Sequence, residues 1–139
     1  MTLPRPGRPA AAAVLLALLL AAGLLLEEYA LAFQAHQRRA DVAAVFGAHE
    51  LVLGNHPEKE ARIGLLRNWT PPPGTAYRIE WPPTAGPFAG RRGVVRVTMT
   101  TTWRSRFAPF LSRRVSVRSS AVALRSAKDR SFGVGFRIE

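Results

Sequence analysis

Residues 9–26 read PAAAAVLLALLLAAGLLL, and Glu27-Glu28-Tyr29 follow directly. Eighteen uncharged residues, dominated by Leu and Ala, stand at the lower edge of the length a helix needs to cross a hydrocarbon core of about 30 Å. The rest of the chain is polar, basic and strand-like, so the reading of this run decides the fold. It predicts a small domain tethered to a membrane. Residues 1–8 are then a cytoplasmic N-terminus, residues 9–29 a transmembrane helix and residues 30–139 an exported domain.

A secretory signal peptide opens in a similar way, with Arg5 and Arg8 ahead of the apolar run. Two features favour an uncleaved anchor. The run is longer than the usual signal core of about 7–15 residues. It also closes on three leucines and two glutamates, where a small-x-small cleavage site would be expected, and Ala21-Ala22-Gly23 is poorly placed for that role. Arg5, Arg8 and the terminal amine flank one side. On the other side the first basic residues are Arg38 and Arg39, beyond the glutamates. The positive-inside bias then predicts a single-pass protein of the inner (cell) membrane, its N-terminus cytoplasmic and its C-terminal domain exported.

The helix is expected to continue past the run to about Leu53, because that stretch contains no proline. Val42, Val45, Phe46, His49, Val52 and Leu53 recur at three-and-four spacing and mark the face expected to dock on a domain. Ala40, Ala43, Ala44 and Ala48 read as small, helix-favouring surface. Gly54-Asn55 is the stop signal. Pro57-Glu58-Lys59-Glu60 starts a second helix, with acidic residues in its first turn, running to about Asn68. Thr70-Pro-Pro-Pro-Gly74 ends it.

The period then changes to two. Tyr77, Ile79 and Trp81 alternate with polar residues. Val95, Val97, Met99, Thr101 and Trp103 make the clearest strand. A loop carries Phe107-Ala-Pro-Phe110-Leu111. Val115 and Val117 mark a strand from Arg114 to Arg125, and Phe132, Val134, Phe136 and Ile138 a short last one. The fold class is α+β: a long N-terminal transmembrane and amphipathic helix, a short second helix, then an antiparallel sheet of three or four strands.

The formal net charge is +11, and eighteen of the twenty basic residues are arginine. Such a surface suits nucleic acid, anionic lipid or an acidic partner. The arginines are distributed, with no dense tract, which ranks nucleic acid behind the others. Arg91, Arg92, Arg96, Arg113 and Arg114 are candidates for an anion-binding patch; charges of this kind also keep a wet sheet face soluble and its edges unpaired. Glu27, Glu28 and Tyr29 have two readings as well. They form an interfacial stop with an aromatic-belt residue, or they pair with a charge on a neighbouring subunit. Trp69, Trp81 and Trp103 read as core or rim packing. His36, His49 and His56 are too few and too poorly spaced for a metal site, and cysteine is absent. No nucleophile–base pair, phosphate loop or dinucleotide signature occurs. The chain reads as non-enzymatic, without catalytic residues, metal or cofactor.

Three stretches resemble the TadE/TadG-like proteins, pilin-like pseudopilins of the tight-adherence (Flp) pilus machinery. They are the leader RPGRPAAAAV running into the membrane helix, the segment Gln34-Ala-His-Gln-Arg-Arg-Ala-Asp41-Val-Ala-Ala-Val-Phe-Gly-Ala48, and the strand–loop–strand ending Val94-Val-Arg-Val-Thr98, Phe107-Ala-Pro-Phe-Leu111 and Val115-Ser-Val-Arg-Ser-Ser-Ala121-Val-Ala123. The resemblance implies a pilin-like fold and a part in pilus assembly, secretion or cell adhesion, with the membrane and other pilin-like subunits as partners. Family members cut by a prepilin peptidase carry a glutamate five residues after a glycine. After Gly7 that position is Ala12, which points to a retained anchor. Gly23 to Glu28 fits the string on the wrong side of the apolar run. The runner-up reading is a membrane-anchored basic module that binds DNA or another anionic polymer.

Overall fold

The computed structural model describes residues 7–125 and 132–137. Arg5, in the expected cytoplasmic leader, and Ile138, in the last expected strand, lie outside the described residues.

Helix α1 (Arg8–Val52) is a single unbroken helix of 45 residues, about 68 Å long at 1.5 Å per residue. It passes straight through Glu27-Glu28, as the absence of proline predicts. Its end is chemically defined. Gly54 takes φ +82°, a conformation that costs glycine little. Its N–H donates to the Leu51 carbonyl at 3.1 Å, and the Asn55 N–H donates to the Glu50 carbonyl at 2.9 Å. These are the paired bonds of a Schellman stop. Helix α2 (Glu58–Leu66) follows. It is two residues shorter than the sequence suggests, because Arg67 leaves the helical region and Asn68 turns to φ 51°.

Four strands, β1 (Ala76–Glu80), β2 (Val94–Arg104), β3 (Ser112–Arg125) and β4 (Phe132–Arg137), form one antiparallel sheet in the order β1-β2-β3-β4. The molecule is therefore α+β, as read from the sequence. The register puts Val95, Val97, Met99 and Thr101 of β2 opposite Ala121, Ser119, Val117 and Val115 of β3. These eight share one face, and all are buried. The core joins the apolar members of that face to Ala40, Ala43, Ala44 and Ala48 of α1 and Leu65 of α2.

The docked face of α1 differs from the one expected from hydropathy. The face docked on the sheet is the small-residue stripe Ala40, Ala43, Ala44, Gly47 and Ala48. The larger residues expected to dock lie beside it: Val42, His49 and Leu53 are exposed, while Val45, Phe46 and Val52 are half-buried. The cause is steric. Helix α1 is clasped between the sheet and α2, and only small residues let three backbones approach so closely. A Cβ at Gly47 would stand 2.9 Å from Val95 Cγ1 and 3.2 Å from Ala61 Cβ. A Cβ at Gly64 of α2 would stand 3.1 Å from Ala43 Cα. Hydropathy favours the larger residues, but here close packing selects the smaller ones.

Up to Leu24, α1 is exposed throughout. The apolar window of the helix has a mean hydropathy of 2.5 and none of it is buried. Leu15, Leu16, Leu18, Leu19, Leu20, Leu24 and Leu26 are all exposed. By length and composition this segment is able to cross a membrane.

The clasp makes a stability prediction. Gly47→Leu must force α1 off Val95 and Ala61, and overpacking of this kind costs about 1–3 kcal/mol. Denaturant unfolding of the detergent-solubilised chain should show that loss. Val42→Leu, on the exposed flank, should stay within about 0.5 kcal/mol of the parent.

Candidate functional site

A set of specific contacts outside the core lies where α1, just past the apolar run, meets the sheet. Strand β2 ends at Arg104, and the loop of residues 105–111 turns the chain into β3. Ser105 is buried and organises the turn. Its hydroxyl accepts from the N–H groups of Phe107, at 3.2 Å, and Ala108, at 3.0 Å. The loop closes through Ser105 N–H to the Leu111 carbonyl, 3.1 Å, and Leu111 N–H to the Ala108 carbonyl, 2.8 Å.

Glu28 fastens this loop to α1. One carboxylate oxygen accepts from the Ser105 hydroxyl at 2.7 Å, and the other accepts from the Arg106 N–H at 2.6 Å. With one donor and two lone pairs in use, the serine hydroxyl is fully satisfied. Bonds to an ionised acceptor are the strong kind. Next to Glu28, Tyr29 meets Trp103 edge-on, with ring centroids 5.2 Å apart and planes at 83°. The Arg113 guanidinium lies over the Tyr29 ring at 5.6 Å. Glu27 and Glu28 line a cleft of about 630 Å³, between Leu24 and Leu31 of α1 on one side and Trp103, Arg106 and Phe107 on the other.

The structure thus brings Glu28, Tyr29 and Arg113 together at one junction. Neither reading of Glu28 from the sequence included this partner, which lies in the same chain. Ser105 and Arg106 were missed altogether. A serine two residues before a Phe-Ala-Pro turn is a local signal for a hydroxyl-capped loop, but nothing local links it to a residue 77 positions away.

The expected arginine patch does not assemble. Arg91 and Arg92 precede β2, whereas Arg113 and Arg114 pair with Trp103 and Thr102 at its far end. About nine residues of strand, roughly 30 Å, separate the two groups. Arg96 is corrected outright, because it is buried. Its guanidinium donates to the Ala85 carbonyl and, at 3.3 Å, to the Ser120 hydroxyl. A Cβ at Gly86 would come within 3.0 Å of it. Arg96 therefore holds the loop of residues 81–93 over the sheet. Beside it, a hydrogen bond from Thr84, then the charges of Arg78 and Arg96, keep the Glu80 carboxyl below its ordinary pKa. Of the five, Arg114 shares an exposed surface, but with arginines outside the expected set. On the outer sheet face Arg78, Thr98 and Arg118 form one cross-strand row, Arg114 lies beside Thr102, and Arg104 beside Ser112.

The histidines and tryptophans pack at the rim. His36 lies 5.7 Å from the Trp69 ring, and Arg39 stacks on the same ring at 4.8 Å. Burial, then the charge of Arg39, lowers the His36 pKa. His56 is edge-on to Trp81, whose indole donates to the Arg92 carbonyl. His49 stands beside Glu50 at 3.7 Å. Among the described residues no three His, Asp or Glu side chains stand together as metal ligands would.

Compared with family models, with curated proteins and with solved structures, the chain finds no match.

The junction is open to direct test. Glu28→Ala leaves the Ser105 hydroxyl and the Arg106 N–H without their charged acceptor, a loss of about 1–3 kcal/mol. Hydrogen exchange should show the Arg106 amide losing protection while β2 amides near Val97 keep theirs. Glu27→Ala, one residue away, should change neither.

Proposed function

We propose that this chain is a membrane-anchored, pilin-like structural component of a Tad/Flp-type pilus-assembly or secretion apparatus, acting by subunit packing rather than by catalysis. The observation that carries the reading is the two-part character of α1. One continuous helix is apolar and uncovered in its first half and forms the spine of an α+β domain in its second. Such a helix suits lateral association in a bilayer, with the domain carried rigidly on its end. The half-exposed flank of Val42, Val45 and Phe46, bordered by Arg38 and Asp41, adds an apolar surface on which a neighbouring subunit can pack. Under this reading the protein lies in the inner membrane with the domain exported, as the basic leader and the positive-inside bias suggest.

A second reading draws on the outer sheet face. Arg78, Arg104, Arg114 and Arg118 are exposed there among Thr and Ser hydroxyls. That is a surface able to bind DNA or another anionic polymer through its phosphates or carboxylates, with the steep salt dependence of such contacts.

Protease treatment of intact cells and of spheroplasts tests the first reading. A tag placed after Glu139 should be digested in spheroplasts and survive in intact cells with a closed outer membrane. A tag protected in spheroplasts overturns the exported topology and, with it, the pilin-like role.

A further inference from the structure

We propose that the loop of residues 105–111 is a second membrane contact, an aromatic wedge that rests in the headgroup layer beside the anchor helix and orients the domain on the bilayer. The inference rests on the reading of residues 9–26 as a membrane span.

Three observations carry it. The first is exposure. Phe110 is 85% exposed and Phe107 71%, with Leu111 at 40%. Two aromatic rings and a leucine on one short loop leave more apolar surface open to water than a tight turn needs for its own packing. The hydrogen bonds of Ser105 already define that turn without them.

The second is position. Residue pairing along α1 and β2 runs in opposite directions. Gly47 lies against Val95, whereas Tyr29 lies against Trp103. The end of β2 therefore points toward the bare part of α1, and the loop extends further that way. Phe107 lines the same cleft as Leu24, which belongs to the apolar run itself. Glu28, which holds the loop, lies about 3 Å along the helix axis beyond Leu26, while the headgroup layer on each side of the hydrocarbon is about 5–8 Å thick. The attachment point thus falls inside that layer, and the loop tip is within reach of its acyl boundary.

The third is charge. The segment from residue 101 to residue 118 contains no acidic residue. Arg104, Arg106 and Arg113 are all exposed around the loop. Of the nearby carboxylates, Glu28 is engaged by Ser105 and Arg106, and Glu27 lies on the cleft side. Exposed aromatic residues flanked by arginines match the chemistry of a lipid interface, where rings occupy the headgroup level and basic side chains meet phosphates. Anionic lipids add further attraction for each arginine near the surface.

The chain lacks cysteine, so single-cysteine labelling is unambiguous. The full-length protein is reconstituted at low density in phosphatidylcholine vesicles with and without phosphatidylglycerol. An environment-sensitive fluorophore is attached at Pro109→Cys in the loop, at Leu18→Cys in the run, or at Ser116→Cys on the outer sheet face. Lipids carrying a nitroxide at shallow or deep acyl positions serve as quenchers. The proposal expects deep quenching at Leu18→Cys, and shallow quenching at Pro109→Cys several-fold above that at Ser116→Cys. The shallow signal should rise with phosphatidylglycerol and fall to the Ser116→Cys level when Phe107 and Phe110 are both replaced by serine. A Pro109→Cys probe that stays as unquenched as Ser116→Cys, while Leu18→Cys is quenched, overturns the wedge and leaves the anchor standing. A Pro109→Cys probe that is blue-shifted only at high protein density, without lipid quenching, also overturns it and assigns the loop to a neighbouring protein. A Leu18→Cys probe that no lipid quenches overturns the anchor itself.

Discussion

The contact between the small-residue stripe of α1 and the valine-rich face of β2 and β3 underlies the rest of this structure. Ala40, Ala43, Ala44, Gly47 and Ala48 bring the helix backbone close to Val95, Val97 and Val117, and Gly64 brings α2 equally close to Ala43. Close approach removes water from both surfaces and fills the space with dispersion contacts. Because the helix that makes this contact also carries the apolar run, the position of the run relative to the domain is set by core packing. A flexible linker would leave the domain free to swing; a helix that enters its core leaves little such freedom.

The Glu28 junction adds a second fixing point. Without it, α1 would leave the domain at the end of the core, and the helix around residues 24–35 would touch little. The carboxylate holds the 105–111 loop against that segment, and the Tyr29–Trp103 contact with Arg113 above it fills the space beside the bond. Further along, the Gln37 side chain donates to the Arg118 carbonyl at 3.0 Å and to Asp41 at 3.0 Å. Residue 118 lies beyond the stretch of β3 that pairs with β4 among the described residues, and there Gln37 meets a β3 backbone acceptor. Helix and sheet are thus tied at the junction, along β3 and in the core.

Element order was legible in the sequence because each element has its own period and its own stop. The proline-free stretch to Leu53 gave α1, Gly54-Asn55 its end, and the alternation of Val95, Val97 and Met99 gave β2. Three features were not legible. The docked face of α1 was misread because hydropathy weights Val42 and Phe46 over alanine, while steric clearance, which no single-residue scale contains, selects alanine and glycine. Arg96 was placed on a wet face because alternation assigns it there, correctly, but the loop of residues 81–93 folds over that face and buries it. The bond between Glu28 and Ser105 joins residues with no local pattern in common. In each case the missing information is tertiary: what lies opposite a residue, rather than what the residue is.

The central claim is that the apolar run and the domain share one rigid helix, with no hinge at Glu27-Glu28. Pulsed electron-spin distance measurement on the full-length chain in nanodiscs tests this most directly, with spin labels at Leu16→Cys and His49→Cys, both exposed on α1. A straight helix at 1.5 Å per residue predicts a single narrow distribution centred near about 50 Å. A broad distribution, or a main peak many ångströms shorter, would place a bend between the run and the domain and contradict the account.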